Sequence, residues 1–185
     1  MNSTSLSDFR HASFRGRIGI SRIDITPPVG IYCRNWGASK HDLAAAVHRP
    51  LTLTALALSP ISGEQTLVFV DADLGWWRTP QTFQRFHSRL LKSPALKSLA
   101  LKSPALESKN LLFALSHTHS GPPLMEPDES LPGNAPLQDW MESLFDSTVN
   151  AIRIAQEEQF DAILDWQIGR CGLASNRDFP DPDEK

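Results

Sequence analysis

The stretch Leu51–Val70, LTLTALALSPISGEQTLVFV, decides the fold class. Leu51–Leu58 alternates at the period of two that a β-strand imposes on its side chains. Pro60–Gln65, with Ser62-Gly63-Glu64 at its centre, has turn chemistry. Thr66–Val70 is a short unbroken apolar run, the pattern expected of a strand covered on both faces. The two strands are expected to form a hairpin or to lie as neighbours.

Upstream, Arg17–Thr26 (RIGISRIDIT) places Ile18, Ile20, Ile23 and Ile25 on a strand with one irregular step, which Pro27-Pro28 ends. Met1–Gly16 reads as a loose leader and Val29–His41 as a Gly- and aromatic-rich loop. Ala44–Val47 then leads to His48. Downstream, Thr79–Leu91 has helical spacing, with Phe83, Phe86, Leu90 and Leu91 on one side. Leu91–Ser108 contains Leu-Lys-Ser-Pro-Ala-Leu twice. So short an echo is no repeat array, and the segment (about 91–109) reads as a low-complexity surface insertion, partly helical and interrupted by Pro94 and Pro104. Asn110–Leu115 (NLLFAL) is a further buried-type strand, and the proline-rich Pro123–Pro136 a functional loop. Asn134 is expected to cap the next helix, with Pro136 in its first turn. Leu137, Trp140, Met141, Leu144, Thr148, Val149 and Ile152 follow one face of that helix. Ala162–Gly169 reads as the last strand and Asp178–Lys185 as loop. Strands alternate with helices, so the expected architecture is α/β: a mixed or mostly parallel sheet with flanking helices, forming part of a domain over residues 17–185.

The totals narrow the function. Hydrophobic residues make up 41% of the 185-residue chain, enough for a packed core rather than disorder. A net charge of −3 provides no basic field for nucleic acid. No apolar run approaches the ~18 residues of a membrane helix. The N-terminus lacks the apolar centre of a secretory signal, so a cytoplasmic location is expected. Cys33 and Cys171 fit no metal or redox spacing and read as buried thiols rather than a bridge. Nothing in the sequence sets the oligomeric state.

Three places carry groups suited to chemistry. Ser116–Pro122, SHTHSGP, follows an apolar strand. On a strand, His117 and His119 would share a face and point into one site. Imidazole suits zinc, and Gly121 lets the backbone turn away; two solvated histidines at a strand end are the plain alternative. His48 stands before a strand, where it can be a surface residue or a second ligand. Asp71 and Asp73, in Val70–Gly75 (VDADLG), can orient a metal-bound histidine or bind metal; Asp73 can equally cap backbone amides. Tyr32, Arg34, Asn35 and Trp36 are candidates to line a pocket, although nothing in their spacing says so.

These segments in this order resemble the neutral/alkaline non-lysosomal ceramidases and their bacterial relatives. The resemblance runs over Gly19–Pro28 (GISRIDITPP), His48–Leu51 (HRPL), Leu67–Gly75 (LVFVDADLG), Ser116–Pro122 and Ser175-Asn176-Arg177. It implies a zinc-dependent hydrolase that cleaves the amide of ceramide or a related N-acyl lipid. It implies His48 and His119 as zinc ligands and His117 as a catalytic donor to the tetrahedral oxyanion. Thr54 stands where the family often has arginine. The family takes a glutamate, a tyrosine and a catalytic serine from further along its chain, so this chain is expected to hold only part of the site. A non-catalytic lipid- or protein-binding α/β module is the alternative. A different metallohydrolase ranks third, because such folds usually place an aspartate soon after the histidine pair, and here Ser120–Pro123 follows.

Overall fold

The structure is a computed structural model and describes residues 13–63, 65–99, 105–166 and 172–173. Gly16–Ala162 form one compact unit, and the described residues 13–15, 163–166 and 172–173 fall in a second. The elements run β1 (Phe14–Asp24), β2 (Thr52–Pro60), β3 (Leu67–Ala72), α1 (Pro80–Lys92), α2 (Pro94–Leu99), a 3-10 turn at Ser108–Asn110, β4 (Leu111–Leu115), α3 (Asn134–Glu157) and β5 (Phe160–Leu164). The sheet order is β4-β3-β2-β1-β5. β1 and β3 pair with β2 antiparallel, while β3 and β4 pair parallel. The mixed sheet with flanking helices expected from the sequence is therefore present.

β2 and β3 are a hairpin. Its turn closes through the Gly63 amide on the Pro60 carbonyl (3.2 Å), with Gly63 at φ 76°. Between β3 and β4 the chain crosses over through α1 and α2, because parallel strands need a long connection. Thr79 caps α1, its hydroxyl accepting from the Thr82 amide, and Pro80 takes the first helical position, where a missing N–H costs nothing.

α3 lies against the inner face of the sheet. Gly19 of β1 makes this approach possible, since a Cβ there would sit 1.8 Å from the Ala155 carbonyl oxygen. Ser21, on the same face, donates its hydroxyl to the Ala151 carbonyl at 2.7 Å. Leu53, Ala55, Val68 and Val70 face Leu137, Leu144 and Ile152 in the core. The end of β1 is pinned by the Trp140 indole N–H, which donates to the Ile25 carbonyl at 2.8 Å.

Several expectations need correction. β3 and β4 are buried on one face only: Phe69 and Leu112 are 36% and 47% exposed, in a row with Ile20 at 56%. An unbroken apolar run does not reveal which side lacks a layer. The insertion is not all surface, because Leu96 and Leu99 of α2 join the core; the spacing of three that buries them is helical. α3 is capped by Gly133, at φ 69°, not by Asn134. A side chain at Gly133 would collide with the Gly30 carbonyl oxygen (2.6 Å) and the Tyr32 amide (2.8 Å). Asn134, the first helical residue, uses its side-chain oxygen to accept from the Asp128 amide instead. β1 begins inside the supposed leader, and β5 starts two residues before the expected Ala162–Gly169 strand and ends at Leu164; residues 167–169, with Cys171, Ser175-Asn176-Arg177 and the expected loop 178–185, lie outside the described residues.

Candidate metal centre

The parallel pair β3 and β4 ends in register at Ala72 and Leu115, and the chemistry-bearing residues follow both ends. Beyond the carboxyl ends of parallel strands is where α/β sheets keep their sites. The first residue after β4 extends the ladder by one bond, Ser116 amide to Ala72 carbonyl (3.0 Å). The chain then breaks from strand geometry, with His117 at φ 61°, a left-handed conformation uncommon for a residue with a Cβ.

That break changes how the histidine pair is presented. The shared face expected of a strand does not arise. His119 lines a cavity of about 650 Å³ together with His41, His48, Asp73, Thr118 and Gly121. His117 lines a different, shallow hollow of about 500 Å³, walled by Trp76, Trp77, Phe83 and Phe113. The two imidazoles remain neighbours, with ring centroids 5.2 Å apart. Trp76 touches both, stacking on His117 at 5.2 Å and meeting His119 edge-on at 5.7 Å. Trp36 approaches His119 at 4.8 Å.

His48 reaches the cavity from the segment before β2, whose base is tied twice. The Leu51 amide donates to the Thr26 hydroxyl (2.9 Å), and the Thr52 amide and hydroxyl donate to one Asp73 carboxylate oxygen at 3.0 and 2.8 Å. Asp73 therefore caps a backbone amide while also facing the cavity. Asp71 lies on the outer face of β3, opposite Thr54 and Ala114 in register, and lines neither hollow; alternation along a strand sends it away from Ala72 and the site.

Of the loop candidates, Tyr32 is buried in the core, and Arg34 pairs with Asp42 at 3.1 Å. Cys33, a free thiol on the cavity wall, has its pKa pushed up by burial and by nearby Asp42, so it presents S–H rather than a thiolate. His41 and Trp76 carried no signal in the sequence. They enter the site because separate loops fold over it.

The donor chemistry fits zinc, since neutral imidazole and carboxylate are its ordinary ligands. The number of donors does not. Among the described residues, no three His, Cys, Asp or Glu side chains gather closely enough to hold a metal ion.

The fold is shared with part of a neutral ceramidase. The crystal structure of neutral ceramidase from Pseudomonas aeruginosa matches with a TM-score of 0.56 and 23% identity over 80% of this chain. A structure of a ceramidase complexed with C2 matches with a TM-score of 0.55 and 24% identity, again over 80% of this chain. This chain covers 22% of each of those chains, so it spans about a fifth of their length. No family model and no curated protein matches the sequence. The solved structures show the architecture alone.

Proposed function

We propose that this chain supplies part of the active site of a zinc-dependent hydrolase of the neutral ceramidase type, acting on the amide bond of ceramide or a related N-acyl lipid. The reading is carried by the convergence of His48, His119 and Asp73 on one cavity beyond the β3 and β4 ends. His48 and His119 are assigned as metal ligands. With too few donors gathered among the described residues, a catalytic site, which needs three protein ligands, must draw others from outside them. Bound zinc supplies Lewis-acid polarisation of a carbonyl and a water of lowered pKa.

The residues present have separate tasks. Asp73 fixes the start of β2 through Thr52 and thereby the His48 segment. His117, beside His119 but lining the neighbouring hollow, is assigned as a hydrogen-bond donor to the oxyanion. The apolar hollow next to His117 suits an aliphatic portion of the substrate. No described helix is long and apolar enough to cross a membrane.

Calorimetric zinc titration tests the assignment. Weak binding by the chain, abolished in His48→Ala/His119→Ala, is expected, with no turnover of a ceramide analogue by the isolated chain. Unchanged zinc affinity in the double variant refutes the ligand pair. No uptake by the wild type leaves the non-catalytic binding module as the better description.

A further inference from the structure

The cavity that holds His48 and His119 opens among apolar side chains. Leu43 and Val47 line it directly, Trp36 lies against His119 on its wall, and Val29 stands between the wall residues Pro27 and Ile31. All four are large and apolar, yet they are 40–56% exposed. Ala45 and Ala46, between Leu43 and Val47, are exposed as well. Apolar surface gathered around one opening marks a contact face, unlike apolar residues scattered singly.

This rim is preformed. The Gly30 and Ala44 amides donate to the Ala44 and Ile31 carbonyls at 2.8 and 3.0 Å, and the Cys33 amide donates to the Asp42 carbonyl at 2.8 Å. Those bonds close residues 33–42 into a loop, whose tip turns through the Ser39 amide and the Trp36 carbonyl (3.1 Å). Beside Trp36, the buried Asn35 packs its amide against Gly75. A loop fixed in this way presents its exposed side chains with little further ordering cost on binding.

Charge separates the kinds of partner. Residues 29–50 carry three cations, Arg34, Lys40 and Arg49, against one carboxylate, Asp42, in a chain of net charge −3. Arg34 is taken by Asp42. Lys40 and Arg49 are exposed and form no ion pair among the described residues. Lysine is depleted in protein–protein interfaces. Tryptophan and aliphatic side chains interleaved with Lys and Arg are instead the composition of segments that lie at the headgroup level of a membrane.

We propose that the rim formed by residues 29–49 is a docking surface for an anionic lipid bilayer. Trp36, Leu43 and Val47 enter the headgroup region, and Lys40 and Arg49 meet lipid phosphates. The inference goes beyond the hydrolase reading, because it needs a lipid surface and no metal. Its consequence for that reading is a route by which an N-acyl lipid passes from the bilayer into the cavity without crossing water.

Co-sedimentation of the whole chain with vesicles tests the surface, using phosphatidylcholine with and without phosphatidylglycerol. A chain of net charge −3 has no general attraction for anionic vesicles, so binding to them must come from a local patch. Binding to the phosphatidylglycerol vesicles is expected, weakening as salt rises, with little binding to phosphatidylcholine alone. Trp36→Ser and Val47→Ser should each lower the partition about threefold to tenfold, and Lys40→Gln about fivefold. Ile61→Ser is the control: Ile61 is 72% exposed but follows the far end of β2 from the cavity, and its loss should leave binding unchanged. Far-UV circular dichroism should be the same for all four variants. No binding to anionic vesicles, or equal losses in Ile61→Ser and Val47→Ser, overturns the docking surface. Equal binding to both vesicle types overturns the assignment to anionic lipid. Vesicle binding by a chain that takes up no zinc sustains the surface and removes only the metal assignment, and zinc uptake without vesicle binding does the reverse.

Discussion

Gly75→Ala should destabilise the protein through one identifiable collision. Gly75 lies outside the left-handed region, so an alanine suffers no backbone strain there. Its Cβ would, however, stand 2.1 Å from the Asn35 amide nitrogen and 3.0 Å from the Thr118 carbonyl oxygen. The Asn35 amide would have to retreat by roughly 1.3 Å to regain an ordinary 3.4 Å contact, in a site where it is 1% exposed. Overpacking of this kind costs about 1–3 kcal/mol. Asn35→Ala removes the obstacle and also two buried amide atoms that have no hydrogen-bond partner. Leaving such an atom unpaired costs about 1–3 kcal/mol, so Asn35→Ala should be near neutral or stabilising despite its lost packing. In the Asn35→Ala background Gly75→Ala should then cost under about 1 kcal/mol, so that a cost at or above the middle of the ~1–3 kcal/mol range leaves a coupling energy of about 1 kcal/mol or more. Urea unfolding followed by circular dichroism, with the four midpoints compared at constant slope, measures the cycle. Equal costs of Gly75→Ala in the two backgrounds would falsify the junction of residues 35, 75 and 118.

Two further outcomes follow from contacts elsewhere. Trp140→Phe strands the buried Ile25 carbonyl by deleting its 2.8 Å donor, and is expected to lower stability by about 1–3 kcal/mol in thermal or urea melts; a change below ~0.5 kcal/mol would show that water replaces the bond. Glu142, which links α3 to α1 by a two-pronged ion pair with Arg89, has its pKa lowered from 4.5 by that hydrogen bond. A depressed carboxylate pKa stabilises the fold above the unfolded value and loses that contribution as pH falls through the folded one. The deficit of Glu142→Gln against wild type should therefore be present at pH 7, shrink as pH falls from about 4.5, and stay small because both partners are exposed. A deficit independent of pH would assign it to packing.

The sequence by itself determined the order and kind of the elements, because alternation in LTLTALAL and i, i+3, i+4 spacing in α1 and α3 are local signals. It also located the histidines after a strand, since apolar runs that stop at polar residues mark strand ends. It could not say that β3 and β4 have one bare face, because Val, Phe and Leu look alike whether or not a second layer covers them. Nor could it foresee that Asn134 yields the cap to Gly133, a choice made by the backbones of Gly30 and Tyr32 crowding that position. Tertiary structure alone decided the site. The left-handed turn at His117 sends two histidines, adjacent but for one residue, to different hollows, and the packing of Asn35 on Gly75 brings Trp36 and Trp76 to His119. Such contacts join loops about 40 residues apart in the chain, and no periodicity or spacing within any of those loops encodes them.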